Sequence, residues 1–209
     1  MATLCGILRR MRFLLFTGCL ALSLAACAQD SDAVLRGKVI RVKDGDTAEV
    51  KLQSGEITVR FYGIDAPEHD QPHGRDAGLA LRQLIGGKEV DLLPVEQDQY
   101  DRLVAVVMLG ERNVNLDMVA RGNAWAFRQY LGSYPDDPLY CEWEAKARGQ
   151  QLGLWRLPEK QRHAPWEWRH REGRAAYTSY EGSTAAACVA AMRGKVARAP
   201  ASSGSKSAD

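Results

Sequence analysis

The sequence lacks two features that would each point to a familiar location or type of site. Its longest apolar run, from Phe13 to Ala26, is shorter than the about 20 residues that a transmembrane helix needs, so a membrane-spanning anchor is the weaker interpretation. Its cysteines and histidines do not follow the spacing of a zinc site. What remains is a chain of 209 residues, 45% apolar and 26% charged, that is long enough to bury one good hydrophobic core.

The chain also lacks a strong excess of positive charge. Its formal net charge is +2, and three of its arginines lie at the N-terminus, at positions 9, 10 and 12. Without residues 1–28, which contain no acidic residue, the net charge is −1. Residues 29–156 carry −5, and the residues from Glu159 onward carry +4. A polyanionic partner would therefore be held by local positive groups or through a metal ion, rather than by a basic domain.

The N-terminus has the arrangement of a secretory signal, in which arginines precede an apolar run that ends in small residues. We expect residues 1–28 to be this signal and the mature protein to lie outside the cytoplasm, in the periplasm or cell envelope or secreted. The run Leu24-Ala25-Ala26-Cys27 resembles the lipobox of bacterial lipoproteins, which predicts a lipid anchor at Cys27. Ala26-Cys27-Ala28 equally fits ordinary signal peptidase, which would release a soluble protein beginning at Gln29.

Two cysteines remain beyond this signal, Cys141 and Cys188. An oxidising compartment permits a disulfide between them. Alternatively, Cys141 is a small buried hydrophobe on a helix and Cys188 lies loose in the C-terminal tail. Both interpretations stay open, because the separation of two Cα atoms cannot be read from a sequence.

Alternating apolar residues predict five short β-strands. The first three, near residues 38–42, 48–52 and 57–62, are joined by the tight turns Asp44-Gly45-Asp46 and Ser54-Gly55. In the third strand, Val59 and Phe61 face the core and Arg60 lies on the opposite face. Two further apolar runs, 90–95 and 103–109, predict the fourth and fifth strands, the fifth being apolar on both faces and therefore central.

Three helices are expected between and after these strands. The first runs from about Ala77 to Ile85 and ends at Gly86-Gly87. The second is capped by Asn113 or Asn115. The third covers about residues 137–151, and its predicted buried face contains Leu139, Trp143 and Ala147. This order predicts an α+β domain over residues 33–157, a five-stranded oligonucleotide/oligosaccharide-binding (OB-fold) barrel packed by about three helices.

The composition changes at Pro158. Residues 158–180 form a basic and aromatic extension that includes Trp166, Trp168 and Arg169. We expect the two tryptophans to pack on the barrel surface, with base stacking beside Arg169 as the alternative. Residues 181–209 are rich in Ala, Ser and Gly, which predicts a disordered tail.

Four carboxylates fall at two predicted turns, where a barrel can bring them together: Asp44, Asp46, Asp65 and Glu68. Unpaired like charges repel, and a hard divalent cation relieves this repulsion by taking oxygen ligands. The alternative is that Asp44 and Asp46 form only a solvated hairpin turn and that Asp65 is a turn cap.

Two arginines, Arg60 and Arg102, flank these acids at the ends of two predicted strands. A guanidinium offers paired donors that match two phosphate oxygens. The alternative for each arginine is an ion pair with a surface carboxylate.

Three spaced segments and a closing motif resemble the motifs of a known protein family. The four runs are Val42-Lys43-Asp44-Gly45-Asp46-Thr47, Val59-Arg60 to Ile64-Asp65-Ala66-Pro67-Glu68, Asp98-Gln99-Tyr100-Asp101-Arg102 and Gly153-Leu154-Trp155. In this order and at these intervals they resemble the active-site and closing motifs of the staphylococcal (micrococcal) nuclease family. The resemblance covers about residues 34–155.

The resemblance implies a role for each matching residue. Asp46 and Asp65 would bind Ca²⁺ with the backbone carbonyl of Ala66, supported by Asp44 and Thr47. Glu68 would orient or deprotonate the attacking water, and Arg60 and Arg102 would hold the phosphate. Tyr100 would contact the terminal phosphate of the nucleotide, and Tyr130 and Phe127 would stand at the nucleotide pocket.

Three departures from the family's type member are visible in the sequence. Gln99 replaces a basic residue, Ala66 replaces a threonine ligand, and residues 69–74 replace a long lysine-rich loop. The first and third bear on affinity and end preference. The second matters less if the ligand is a backbone oxygen.

The sequence thus predicts an exported, Ca²⁺-dependent endonuclease that acts as a monomer and hydrolyses DNA and RNA with low sequence specificity. One alternative is a non-catalytic nucleic-acid-binding OB barrel in the cell envelope. The presence of all five of the principal acids and arginines argues against it. A third possibility is a calcium-stabilised envelope protein whose metal site is structural.

Overall fold

The computed structural model describes residues 33–170 and 184–196, with side chains as far as Met192 in the second range. The strands are β1 Leu35–Val42, β2 Thr47–Leu52, β3 Gly55–Phe61, β4 Ile64–Asp65, β5 Glu89–Gln97, β6 Leu103–Leu109, β7 Arg112–Asn113 and β8 Trp125–Ala126. The helices are α1 Gly74–Ile85, α2 Val114–Ala120, α3 Asp137–Gly149, α4 Pro165–Trp168 and α5 Ala185–Val196. Two single 3₁₀ turns, Gly153–Arg156 and Glu159–Gln161, connect α3 to α4. The predicted signal and Cys27 lie outside the described residues.

Five strands form a closed mixed barrel, which confirms the predicted fold class. Strands β1, β2 and β3 make an antiparallel meander, β5 pairs with β1, and β6 pairs with β5. The barrel closes where β3 pairs with β6 in parallel, with Val59 opposite Leu103 and Phe61 opposite Ala105. Closure leaves the inward-facing residues of every strand in one core, including Val39, Val50, Val59, Leu92 and Val107.

Helices α1, α2 and α3 are the three that the sequence predicts between residues 33 and 157. Helix α1 buries Ala77, Leu81 and Ile85, as its apolar spacing predicts. Asn113 is the cap of α2, because its side chain accepts a hydrogen bond from Leu116 N at 3.0 Å. Asn115 is instead fully buried, and its side chain bonds to the backbone of Tyr62, Ala105 and Val107. It therefore ties α2 to the barrel.

The predicted buried face of α3 is wrong in part. Leu139 and Trp143 are 36% and 37% exposed, whereas Ala147 is buried. The face that packs consists of Tyr140, Cys141, Glu144 and Ala147. The spacing of apolar residues does not predict this face correctly, because one of the buried residues of α3 is the polar Glu144.

The prediction of a disordered tail is wrong for residues 185–196, which form α5. Cys188 is bonded to Cys141 of α3, with their Cα atoms 5.6 Å apart, so the disulfide interpretation is the one that the structure supports. Cys188 and Met192 belong to the main hydrophobic core. This covalent and apolar attachment, together with the alanine-rich sequence, explains why the segment is helical. Among the described helices, none is both long and apolar enough to cross a bilayer.

Candidate active site

The turn between β1 and β2 fixes the carboxylate of Asp46 in a buried position. Its Oδ1 accepts a hydrogen bond from Thr47 Oγ1 at 3.0 Å, and its Oδ2 accepts one from Ala66 N at 2.6 Å. Asp44 closes the turn by accepting from Asp46 N at 3.0 Å. A Cβ atom at Gly45 would lie 2.6 Å from Ala66 Cβ and 2.9 Å from Ala77 Cβ. Glycine therefore lets the acidic turn pack against residue 66 and α1.

Arg60, in β3, joins Asp46 to Asp65. Its Nη1 lies 2.9 Å from Asp46 Oδ1, and its Nη2 donates to Asp65 Oδ1 at 2.8 Å. Arg60 alternates along β3 with the buried Val59 and Phe61, as predicted. Its guanidinium is nevertheless largely buried, because the two carboxylates cover it. Asp65 lies in β4 and is 0% exposed. The structure thus brings together three of the predicted site residues, from the turn before β2 and from strands β3 and β4.

Glu68 follows β4 on the loop to α1, and the partner of its side chain comes from the far end of the chain. Arg169 Nη1 donates to Glu68 Oε1 at 2.7 Å and to Asp65 Oδ1 at 3.1 Å. Arg169 Nη2 donates to Asp65 Oδ2 at 2.8 Å. Arg169 is not among the site residues that the sequence predicts. Its only signal was the basic and aromatic composition of the extension.

Arg102 lies at the same end of the barrel as Arg60, because the β3–β6 register pairs Arg60 with Val104. Its Nε and Nη2 both lie 2.7 Å from Asp98 Oδ2. Asp98 Oδ1 in turn accepts from the backbone N–H groups of Tyr100 and Arg102, so a compact loop orients the arginine. The structure pairs Arg102 with Asp98, and not with Asp46, Asp65 or Glu68.

The three predicted nucleotide-binding aromatics differ in accessibility. Tyr100 and Tyr130 are 69% and 51% exposed. Phe127 is half-buried, and Trp166 stacks on it with ring centroids 5.3 Å apart and ring planes within 3° of parallel. Tyr130 contacts the Phe127 ring at a centroid distance of 4.8 Å. Trp166 therefore packs on the domain, as expected, and covers one face of Phe127.

Two acids of this site, Asp44 and Asp65, have a pKa above that of a free aspartate. Burial, and then the charge of Asp46, raises the pKa of Asp44 to about 7. Burial raises the pKa of Asp65 to about 6, although Arg60 and Arg169 act in the opposite direction. Both shifts arise mainly because burial disfavours the charged carboxylate.

The donor set fits a hard divalent cation in its chemistry. Three carboxylates, those of Asp46, Asp65 and Glu68, are paired with two guanidinium groups, and Asp44 lies on the same turn as Asp46, so the four acids leave the cluster negative when fully ionised. Within the residues that the structure describes, no three His, Cys, Asp or Glu side chains are grouped to hold a metal. Asp65 has both oxygens engaged by guanidinium groups. A cation at Asp65 would therefore bind a carboxylate that already holds two positive side chains, both of which repel it.

The amino-acid sequence of this chain is similar to those of known proteins. A family model described as "Staphylococcal nuclease homologue" matches residues 58–157. The chain is 40% identical over 146 residues to a micrococcal nuclease from Shigella flexneri, an alignment that covers 66% of this chain and 82% of that protein. The chain belongs to the staphylococcal nuclease family.

Two further relatives of this staphylococcal nuclease-like chain come from Escherichia coli. An uncharacterized endonuclease is 37% identical over 141 residues, which is 67% of this chain and 88% of the relative. Protein ParB is 34% identical over 173 residues, which is 78% of this chain and 94% of the relative. Like the relatives named as nucleases, this member of the family is a nuclease, a phosphodiester hydrolase.

Proposed function

We propose that this protein is an exported endonuclease that requires Ca²⁺ and hydrolyses DNA and RNA with low sequence specificity. The main support for this proposal is the pair of salt bridges that Arg60 makes with Asp46 and Asp65, next to Glu68 on the adjoining loop. These are the residues for which the family motifs imply metal binding, proton transfer and phosphate binding.

The proposed chemistry divides among the residues of the site. Asp46, Asp65 and the backbone carbonyl of Ala66 would hold the cation, which when bound polarises the phosphodiester and lowers the pKa of water. Glu68 takes the proton of the attacking water. Arg60 holds a non-bridging phosphate oxygen and stabilises the charge that grows on it. Arg102, oriented by Asp98, supplies a second guanidinium at the same end of the barrel.

Substrate breadth follows from how the bases would be held. Tyr100 and Tyr130 present exposed ring faces near the site, and an aromatic face stacks on any base. Base stacking and phosphate contacts depend neither on the base sequence nor on the type of sugar. This supports cleavage of both DNA and RNA.

Export is proposed on two observations. The N-terminal residues have the pattern of a secretory signal, and the Cys141–Cys188 disulfide is of a kind that persists in oxidising compartments. We expect the mature protein in the periplasmic or envelope fraction. The mass of its N-terminal peptide distinguishes a lipidated Cys27 from a free Gln29, and a cytoplasmic chain that keeps residues 1–28 would contradict export.

The first experiment incubates residues 29–209 with single-stranded DNA and with RNA, in Ca²⁺ and in chelator. Wild type is compared with Glu68→Gln and with Arg60→Lys, which keeps a charge between Asp46 and Asp65. We expect cleavage only with Ca²⁺, and losses of about 10²-fold or more for each variant. Arg36→Gln is the matched control, because its exposed ion pair with Asp91 lies outside the site. It should cut at the wild-type rate.

Two outcomes would contradict this function. Binding without cleavage in every condition would support the alternative of a non-catalytic nucleic-acid-binding barrel. A rise in melting temperature with Ca²⁺, without hydrolysis, would support a structural metal site.

A further inference from the structure

The guanidinium of Arg169 bridges two acids that the proposed mechanism gives different tasks. It contacts both oxygens of Asp65 and one oxygen of Glu68, at 2.7–3.1 Å. Asp65 is fully buried, and Glu68 is partly exposed. A single arginine from the extension therefore links the proposed metal ligand to the proposed general base.

The extension that carries Arg169 is fixed to the nuclease domain by the residues just before this arginine. Ala164 and Pro165 are buried, and Trp166 stacks on Phe127. Gln71 Nε2 donates to His163 O at 2.5 Å, and Trp168 Nε1 donates to Asp70 Oδ1 at 3.2 Å. These contacts come from the loop that follows Glu68 and from the segment after β8. They fix the backbone that leads to Arg169.

The position of Arg169 has opposite consequences for the two acids. Its bond to Glu68 limits the rotation of a side chain on a loop, which keeps that carboxylate beside Asp65. Its two bonds to Asp65 place a positive charge beside the oxygens that a cation would use. A cation and the guanidinium of Arg169 repel each other, so each weakens the binding of the other to Asp65 and the two compete for it.

We propose that Arg169 is a further positioning residue of this nuclease site: it holds Glu68 in place and occupies Asp65 until a divalent cation replaces it there. The proposal rests on the proposed function, since it takes Asp65 as a cation ligand. Removing Arg169 should therefore strengthen cation binding while weakening catalysis. A residue that only supports the fold would weaken both.

The test measures cation binding and cleavage separately, on residues 29–209. Calcium titrations by calorimetry, without nucleic acid, give Kd for wild type and for Arg169→Gln, Arg169→Lys and Arg162→Gln. We expect Arg169→Gln to bind Ca²⁺ about three- to tenfold more tightly, because a competing ion pair is gone. At saturating Ca²⁺ and substrate, we expect it to cut at least about tenfold more slowly, because Glu68 is no longer held. Arg169→Lys should fall between wild type and Arg169→Gln in both measurements.

Arg162→Gln is the control within the same extension. Arg162 Nε donates to Leu157 O at 2.5 Å and touches neither acid, so its loss should leave both Kd and the cleavage rate unchanged. Melting curves of all variants show whether each is folded at the assay temperature.

Two results would overturn the proposal: an Arg169→Gln variant that binds Ca²⁺ no more tightly than wild type, or one that cuts at the full rate at saturating Ca²⁺. Failure of the proposed function is a separate result. It is a wild type that binds Ca²⁺ and cuts neither nucleic acid, and the binding titration still decides the competition for Asp65.

Discussion

At the scale of single residues, the site is a small cluster in which each acid has a different environment. Asp46 is held by Thr47, Ala66 N and Arg60, and Asp65 lies between Arg60 and Arg169. Asp44 has no arginine in direct contact among these bonds and keeps a high pKa. Burial thus raises the pKa of both Asp44 and Asp65, and the direct arginine partners of Asp65 oppose the rise there.

Asp44 gives the metal-free protein a defined pH dependence. Its pKa rises from 3.8 when unfolded to about 7 when folded, so the folded state binds the extra proton between these values. The free energy of unfolding must therefore fall as the pH rises from about 4 to 7. Asp44→Asn, which cannot ionise, should remove this part of the slope and be more stable than wild type at pH 8, by a few kcal/mol at most, since one pKa unit corresponds to about 1.4 kcal/mol.

Urea unfolding of both proteins at pH 5 and pH 8, in chelator, tests this expectation. Parallel pH profiles for Asp44→Asn and wild type would show that Asp44 does not carry the effect.

Tyr130 is, with Tyr100, one of the two exposed tyrosines that we propose to stack on a base. Tyr130→Ala should raise KM for single-stranded DNA by about fivefold or more, since stacking on one base contributes about 1–3 kcal/mol. The melting temperature should change little, because half of the side chain is exposed. Tyr134→Ala is the control, an exposed tyrosine whose ring instead meets the edge of Tyr62 at 5.4 Å. Equal KM values for the two variants would rule out stacking on Tyr130.

At the scale of elements, the site depends on two close approaches. The parallel pairing of β3 with β6 sets Arg60 and Arg102 at one barrel end. The acidic turn approaches residue 66 and α1 so closely that position 45 has no room for a side chain. Neither approach is local in sequence, so both depend on the folded barrel.

The difference in packing around two neighbouring glycines predicts that alanine substitutions at these positions change stability in opposite directions. Gly45→Ala should destabilise the protein by about 1–3 kcal/mol and weaken cleavage, because the new methyl group pushes the turn with Asp46 away from Ala66. Gly78→Ala, in α1, meets its nearest atoms at 3.7 Å and should stabilise the protein by up to about 1 kcal/mol. Denaturant titration gives both values. A neutral Gly45→Ala would mean that the turn can move without cost.

At the scale of the whole molecule, the domain has a main core in the barrel and a second cluster beneath the extension. The second cluster contains Trp125, Ala147, Leu154, Trp155 and Ala164, with Trp166 packed against it. Residues 164–166 of the extension therefore complete the packing of the nuclease domain. Helix α5 is attached at a different place, through Cys188 and Met192 to the main core.

Two shortened chains separate these attachments. A chain that ends at His170 loses α5 and the disulfide, whereas one that ends at Pro158 also loses Ala164 and Trp166. We expect the second to be less stable than the first by about 3–5 kcal/mol, the usual cost of removing a packed tryptophan side chain. Urea midpoints of the two chains give the difference. Equal midpoints would show that the extension does not stabilise the domain.

The sequence by itself determined the class of the fold, the three helices of the domain and the family. Alternation, turn residues and helix spacing are local signals, and the spaced acidic and arginine motifs are specific enough to identify the nuclease. It also pointed to Asp46, Asp65 and Arg60 as parts of one site, and the structure bonds these three together.

Only the tertiary structure decided the remaining features. It closed the barrel through β3 and β6, paired Cys141 with Cys188, buried Glu144 on α3, and brought Arg169 to Asp65, 104 residues away in sequence. Each of these is a contact between residues far apart along the chain. Local propensity carries no information about such contacts, because the packing of the whole domain selects them.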